Sequence, residues 1–71
     1  MNNVRELIGE NLRYYRKKAG FTQEKLGVRA KVDSYYISRL ELGKENVSAD
    51  TLAKLADVLK IEIHLLFLPP K

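Results

Sequence analysis

The chain has 71 residues, enough for one domain and no more. Its 13 Lys+Arg against 9 Asp+Glu give a formal charge of +4, and 45% hydrophobic with 31% charged residues excludes both a disordered tail and a membrane segment. The absence of cysteine removes disulfides, cysteine-based zinc sites and thiol nucleophiles.

The apolar period is helical throughout. Val4, Leu7, Ile8, Leu12, Tyr15 and Ala19 step by three and four, predicting a first helix over residues 3–18. Asn2 or Asn3 can cap it, and Gly20 stands where a helix stops. Gly9, in its interior, costs about 0.5–1 kcal/mol relative to Ala and invites a close approach by another helix.

Thr22 reads as the N-cap of a second helix ending near Ala30, with Glu24 in its first turn and Leu26 and Ala30 inward. After Lys31-Val32, Asp33 caps a third helix that runs to Leu42 and halts at Gly43. Ser48 caps a fourth, in which Leu52, Leu55, Ala56 and Leu59 form one apolar stripe. A fifth, short helix is expected over Ile61–Phe67, with Pro69-Pro70 closing the fold. No strand alternation or internal repeat is present, so the expected fold is a compact, all-α, five-helix domain spanning residues 1–71.

Charge is unevenly placed. Residues 1–32 hold eight basic and three acidic side chains (+5), and residues 33–71 hold five and six (−1). A basic half fits an anionic partner such as nucleic acid, and it equally fits a solvated basic surface. Polar Asn2-Asn3 lead into a charged stretch with no signal-peptide core, and the mainly apolar run Ile61–Leu68 is far short of the roughly 20 residues that span a membrane. The expectation is a cytoplasmic domain with no membrane partner.

Two short helices separated by a two- or three-residue turn must cross steeply, which is the geometry of a helix-turn-helix over about residues 22–42. On the second of them, Ile37, Leu40 and Glu41 share one side while Ser34, Tyr35, Ser38 and Arg39 share the other. That outer face suits the DNA major groove: Arg39 can donate twice to guanine, the serines can bond bases or phosphates, and Tyr35 can pack on a thymine methyl. By composition alone an ordinary solvated helix face is the favoured reading.

Residues 20–43, from Gly20-Phe21-Thr22-Gln23-Glu24-Lys25-Leu26 to Ile37-Ser38-Arg39-Leu40-Glu41-Leu42-Gly43, resemble the Cro/XRE-type helix-turn-helix family. The likeness continues through Asn46-Val47-Ser48 and Leu52-Ala53-Lys54-Leu55-Ala56 to Leu66-Phe67. It implies a lambda-repressor-like fold and a homodimeric, sequence-specific DNA-binding transcriptional regulator. By position, Ser34, Tyr35, Ser38 and Arg39 correspond to base-reading residues, and Gln23, Tyr36, Lys44 and Asn46 to phosphate-binding ones. Arg16 and Glu41 correspond to an internal ion pair in some members.

Three features depart from the family pattern. Gly27 replaces a usual Ala and should weaken the second helix slightly; Lys31 replaces a frequent Gly in the turn; Val28 falls on the outer side. Tyr35-Tyr36-Ile37-Ser38 with Asn46-Val47-Ser48 is similar to the controller proteins of restriction-modification systems, although Ser34 and Glu45 stand where that subgroup often has Arg.

Ile61, Ile63, Leu65, Leu66, Phe67 and Leu68 exceed what one short helix buries. A two-fold dimer through about residues 59–68, with Ile61, Ile63, Leu66 and Phe67 at the interface, is expected, with capping of the monomer core as the alternative. His64, the lone histidine, reads as packing or surface. No carboxylate pair, phosphate loop or nucleophile-base set is legible, so no enzyme activity, cofactor or metal is expected. The competing functional reading is an antitoxin or adaptor that uses the same fold to bind a protein, such as a toxin or RNA polymerase.

Overall fold

The computed structural model describes residues 3–69, so Asn2 and Pro70, the one an expected cap and the other an expected terminator, lie outside the described residues. Each helix begins where a short polar side chain can take up a free backbone N–H. Asn3 Oδ1 accepts from Arg5 N and Glu6 N at 3.0 and 3.4 Å and opens α1, Val4–Lys18. Thr22 Oγ1 accepts from Lys25 N at 3.0 Å and opens α2, Gln23–Ala30. Asp33 Oδ1 accepts from Tyr35 N at 2.8 Å and opens α3, Ser34–Glu41. Ser48 Oγ accepts from Thr51 N at 3.1 Å and opens α4, Ala49–Leu59. Each such cap is worth about 1 kcal/mol.

The chain then departs from the expected fifth α-helix. A single 3-10 helix, Ile63–Phe67, follows α4, and Ile61 and Glu62 stay outside it. The reason is local: Glu62 makes no side-chain cap bond, and β-branched Ile61 and Ile63 with His64 are poor helix formers. Five residues with no cap settle into the tighter i→i+3 form used for short pieces.

Two helix ends turn through the left-handed region on lysines, Lys31 (φ 58°) and Lys60 (φ 57°), while Gly20 and Gly43 take positive φ without strain. A non-glycine residue there costs roughly 1 kcal/mol. Lys60→Gly removes that strain while adding freedom to the unfolded chain, a net gain of about 0.5 kcal/mol. The variant should melt roughly 2–4 °C higher in a thermal scan followed by circular dichroism.

α1 packs on α3 and on the 3-10 helix, and α2 packs on α3 and α4. Ile8, Leu12, Leu26, Ile37, Leu40, Leu52, Leu55 and Leu66 meet in one core, each at 3% exposure or less. Fully burying such a side chain contributes about 1.5–3 kcal/mol. The inner stripe of α1 differs from the expected one: Val4 and Ala19 are exposed, whereas Asn11 and Arg16 are buried. Gly9 explains how α1 sits so close to α3, since a Cβ there would lie 2.3 Å from the Leu40 carbonyl oxygen and 2.8 Å from that of Glu41.

Asn11 holds the end of the chain. Its Nδ2 donates to the carbonyls of Leu66 at 2.9 Å and Leu68 at 2.6 Å, tying the 3-10 segment to α1. Among the described residues no helix is long and apolar enough to cross a membrane.

Candidate nucleic-acid interface

Three residues, Lys31 to Asp33, separate α2 from α3. The turn is tight because Lys31 N and Val32 N both donate to the Gly27 carbonyl. A Cβ on Gly27 would lie 2.5 Å from the Val32 carbonyl oxygen. Gly27 is therefore more than a weak point in α2: it leaves room for the returning backbone.

Ile37 and Leu40 anchor α3 in the core at 0 and 1% exposure, and this fixes which face looks out. Tyr35 is 69% exposed, with Ser34, Ser38 and Arg39 half-buried beside it. A shallow cleft of about 550 Å³ runs along this face, lined by Arg16, Thr22, Gln23, Glu24, Ser34, Tyr35 and Ser38. A recess of about 200 Å³ adjoins it, sharing Arg16, Gln23 and Ser38 and adding Arg13, Glu41 and Leu42. Arg13, exposed on α1, thus stands on the rim of the cleft, although its place in the α1 pattern gave no hint of this.

Beneath the cleft lies a closed polar network. Arg16 Nε and Nη2 donate to the two carboxylate oxygens of Glu41 at 2.6 and 3.0 Å, and Nη1 donates to the Phe21 carbonyl at 2.8 Å. The two side chains are only 10 and 4% exposed. Gln23 Nε2 donates to Glu41 Oε1 at 3.0 Å, so one of its amide hydrogens is directed inward at a carboxylate. An ionised carboxylate only accepts, which fixes the amide's orientation and leaves its second N–H for an outside acceptor.

On the other side of α3, the phenol of Tyr36 donates to the Asn46 carbonyl at 2.7 Å. The proton expected for a phosphate is thereby committed to holding the α3–α4 loop. Lys44 and Asn46 are exposed on that loop. Arg39 is not a free arginine: its Nε donates to Glu45 Oε2 at 2.6 Å, its Nη2 to the Lys44 carbonyl at 3.2 Å, and its guanidinium stands 5.9 Å from the Tyr35 ring centroid. The Glu45 carboxylate raises its already high pKa further, so the group is a permanent cation.

The expected apolar interface divides. Leu66 is wholly buried within a single chain, and Ile61 packs against the core. Ile63 and Phe67 are 40 and 45% exposed, joined by Leu68 at 44%. Leu66 is a correction to the reading as an interface residue, because a side chain enclosed by the monomer core has no surface left to offer.

A helix-turn-helix family, HTH_3, matches residues 12–66, from within α1 through α2, α3 and α4 into the 3-10 helix. The chain belongs to this Cro/XRE-type family of DNA-binding regulators. Family members are transcriptional regulators rather than enzymes. The restriction-modification controller protein C.AhdI from Aeromonas hydrophila superposes with a TM-score of 0.86 at 36% identity, over 89% of this chain and 96% of that one. SinR, the master regulator for biofilm formation, superposes in a complex with DNA at a TM-score of 0.80 and 33% identity, over 83% of this chain and 95% of that one. The crystal structure of a hypothetical transcription factor from Neisseria gives a TM-score of 0.90 at 28% identity, over 99% of this chain and 83% of that one. By sequence the chain spans 65% of the length of the Neisseria meningitidis protein, 29% identical over 69 residues.

Proposed function

We propose that the chain is a homodimeric regulator that places α3 in the major groove of double-stranded DNA and reads a near-palindromic operator. The observation that carries this is the outward face of α3, oriented by buried Ile37 and Leu40, on which Tyr35 is exposed and Ser34, Ser38 and Arg39 are half-buried, with Ser34, Tyr35 and Ser38 lining an open cleft. Likeness to a protein solved in complex with DNA supports it.

In this reading, Arg39 bonds a guanine, Ser34 and Ser38 bond base edges, and Tyr35 packs on a thymine methyl. The second amide hydrogen of Gln23 meets a phosphate at the N-terminus of α2, where free backbone N–H groups attract an anion. Lys44 and Asn46 grip the backbone on one side of α3 and Arg13 on the other. Tyr36, its ring packed against the core, acts by ordering the loop that carries Asn46.

Two-fold pairing through Ile63, Phe67 and Leu68 sets two copies of α3 about 34 Å apart, one helical turn of DNA. The likeness to C.AhdI supports an autoregulatory role in a restriction-modification operon.

Selection of bound duplexes from a random pool by the purified protein tests the reading. The expected motif is two-fold symmetric with half-sites about one turn apart, and affinity should fall steeply with salt. The same motif should recur upstream of the protein's own gene, beside genes of a restriction enzyme and methyltransferase. Binding without sequence preference, or co-purification with a protein and no DNA binding, overturns the reading in favour of an antitoxin or adaptor.

A further inference from the structure

Arg39 is the one guanidinium on the outer face of α3, and its fork is divided in two by the protein. The edge formed by Nε and one Nη2 hydrogen is engaged, Nε by Glu45 Oε2 at 2.6 Å and Nη2 by the Lys44 carbonyl at 3.2 Å. A guanidinium has five N–H donors, so the end-on edge, Nη1 with the second Nη2 hydrogen, is left for an outside acceptor pair. That edge carries two parallel N–H groups, which match guanine O6 and N7.

Glu45 is itself held. Lys44 N donates to the Arg39 carbonyl at 3.0 Å, and Tyr36 Oη donates to the Asn46 carbonyl at 2.7 Å, so the residues on both sides of Glu45 are tied to α3. The carboxylate is therefore presented from a fixed loop. With Tyr35 under the cation, Arg39 is restrained on three sides before any ligand arrives.

We infer that Glu45 is a specificity-determining positioning residue: it clamps the side edge of Arg39 and aims its end-on edge at one base pair. This rests on the reading of α3 as the DNA-reading helix. A flexible arginine near DNA finds phosphates as readily as bases, because the backbone carries charge at every step. Clamped by Glu45, the guanidinium presents only its end, and the carboxylate repels the nearest phosphates. Glu45 thus lowers general affinity and raises selectivity.

The test compares the base preferences of the wild type, R39A, E45A, E45Q and the R39A/E45A double variant, by selection from a random duplex pool followed by titration of single-base-pair variants of the selected site. R39A should relax preference at one base pair about five- to hundredfold. E45A should relax the same base pair while strengthening binding to random DNA. E45Q, which keeps an oxygen acceptor for Nε, should retain most of the preference. The double variant should be no more relaxed than R39A.

Unchanged or sharpened preference in E45A overturns the clamp and leaves the DNA-reading helix standing. No change in R39A removes the arginine from the bases, and the clamp with it. A wild-type protein that selects no sequence overturns the DNA-reading proposal as a whole.

Discussion

Glu41→Ala is expected to unfold much of the protein population at temperatures where the wild type is folded. Arg16 would keep its bond to the Phe21 carbonyl but lose both oxygens of its one carboxylate partner, leaving a cation in a site where the residue is 8% exposed. Removing one member of a buried pair costs about 3–5 kcal/mol, a large share of the whole stability of a small domain. The loss spreads because Glu41 also accepts from Gln23, so the start of α2, the end of α3 and the last turn of α1 come apart together. Urea denaturation followed at 222 nm measures it. The double variant Arg16→Met with Glu41→Leu should recover much of the deficit, since a buried pair replaced by apolar groups of similar volume is often neutral. If the single variant loses under 1 kcal/mol, the network is a solvated ornament and α1 is fastened to α3 by packing alone.

The helices were legible because their signals are local. Thr22, Asp33 and Ser48 each stand immediately before an apolar period and each accepts the expected N–H. What escaped depends on partners distant in sequence. Asn11 lies on the apolar side of α1 and looks like a fault in the pattern until the Leu66 and Leu68 carbonyls, 55 and 57 residues away, meet its amide. A polar residue interrupting a helical apolar stripe is the signal that could have found it. Gly27 likewise reads as a propensity cost until the backbone of Val32 is seen to pass over it. Lys60 carries no sequence mark of its left-handed turn, since lysine is an ordinary residue at a helix end.

The outer face of α3 follows from the wheel, because buried Ile37 and Leu40 dictate it. Which atoms on that face remain available does not follow, because it is decided by loop geometry. Gln23 and Tyr36 each already donate a hydrogen within the protein itself, and Arg39 has one edge engaged. Glu45 enters the sequence reading only as a residue where an arginine is more usual; its position six residues after the sole arginine of α3 was the available hint. Val28, 78% exposed on α2, has no structural account.

Phe67→Asp is expected to break self-association and, with it, most of the operator affinity. The residue is chosen over Leu66 because it is 45% exposed in the single chain, whereas a charge at Leu66 would enter the core and unfold the protein for reasons unrelated to pairing. The Asn11 bonds to the Leu66 and Leu68 carbonyls involve only backbone on that segment, so the substitution leaves the tether of the 3-10 helix in place. Across a two-fold axis the introduced carboxylate would face apolar Ile63, Phe67 or Leu68 positions of a second copy, or its own symmetry mate, with desolvation and like-charge repulsion opposing contact. Losing one of two tethered half-site contacts removes an effective-concentration advantage of about 10²–10⁴ in affinity. Sedimentation equilibrium and titration of a two-half-site duplex read the two effects separately, and circular dichroism checks that the helices persist. Binding to an isolated half-site should be unchanged, because Ser34, Tyr35, Ser38 and Arg39 lie on α3, which the substitution does not touch. A folded variant that still pairs as the wild type does would move the dimer contact away from the 3-10 helix. A wild type that sediments as a monomer even on its operator would remove the dimer from the mechanism.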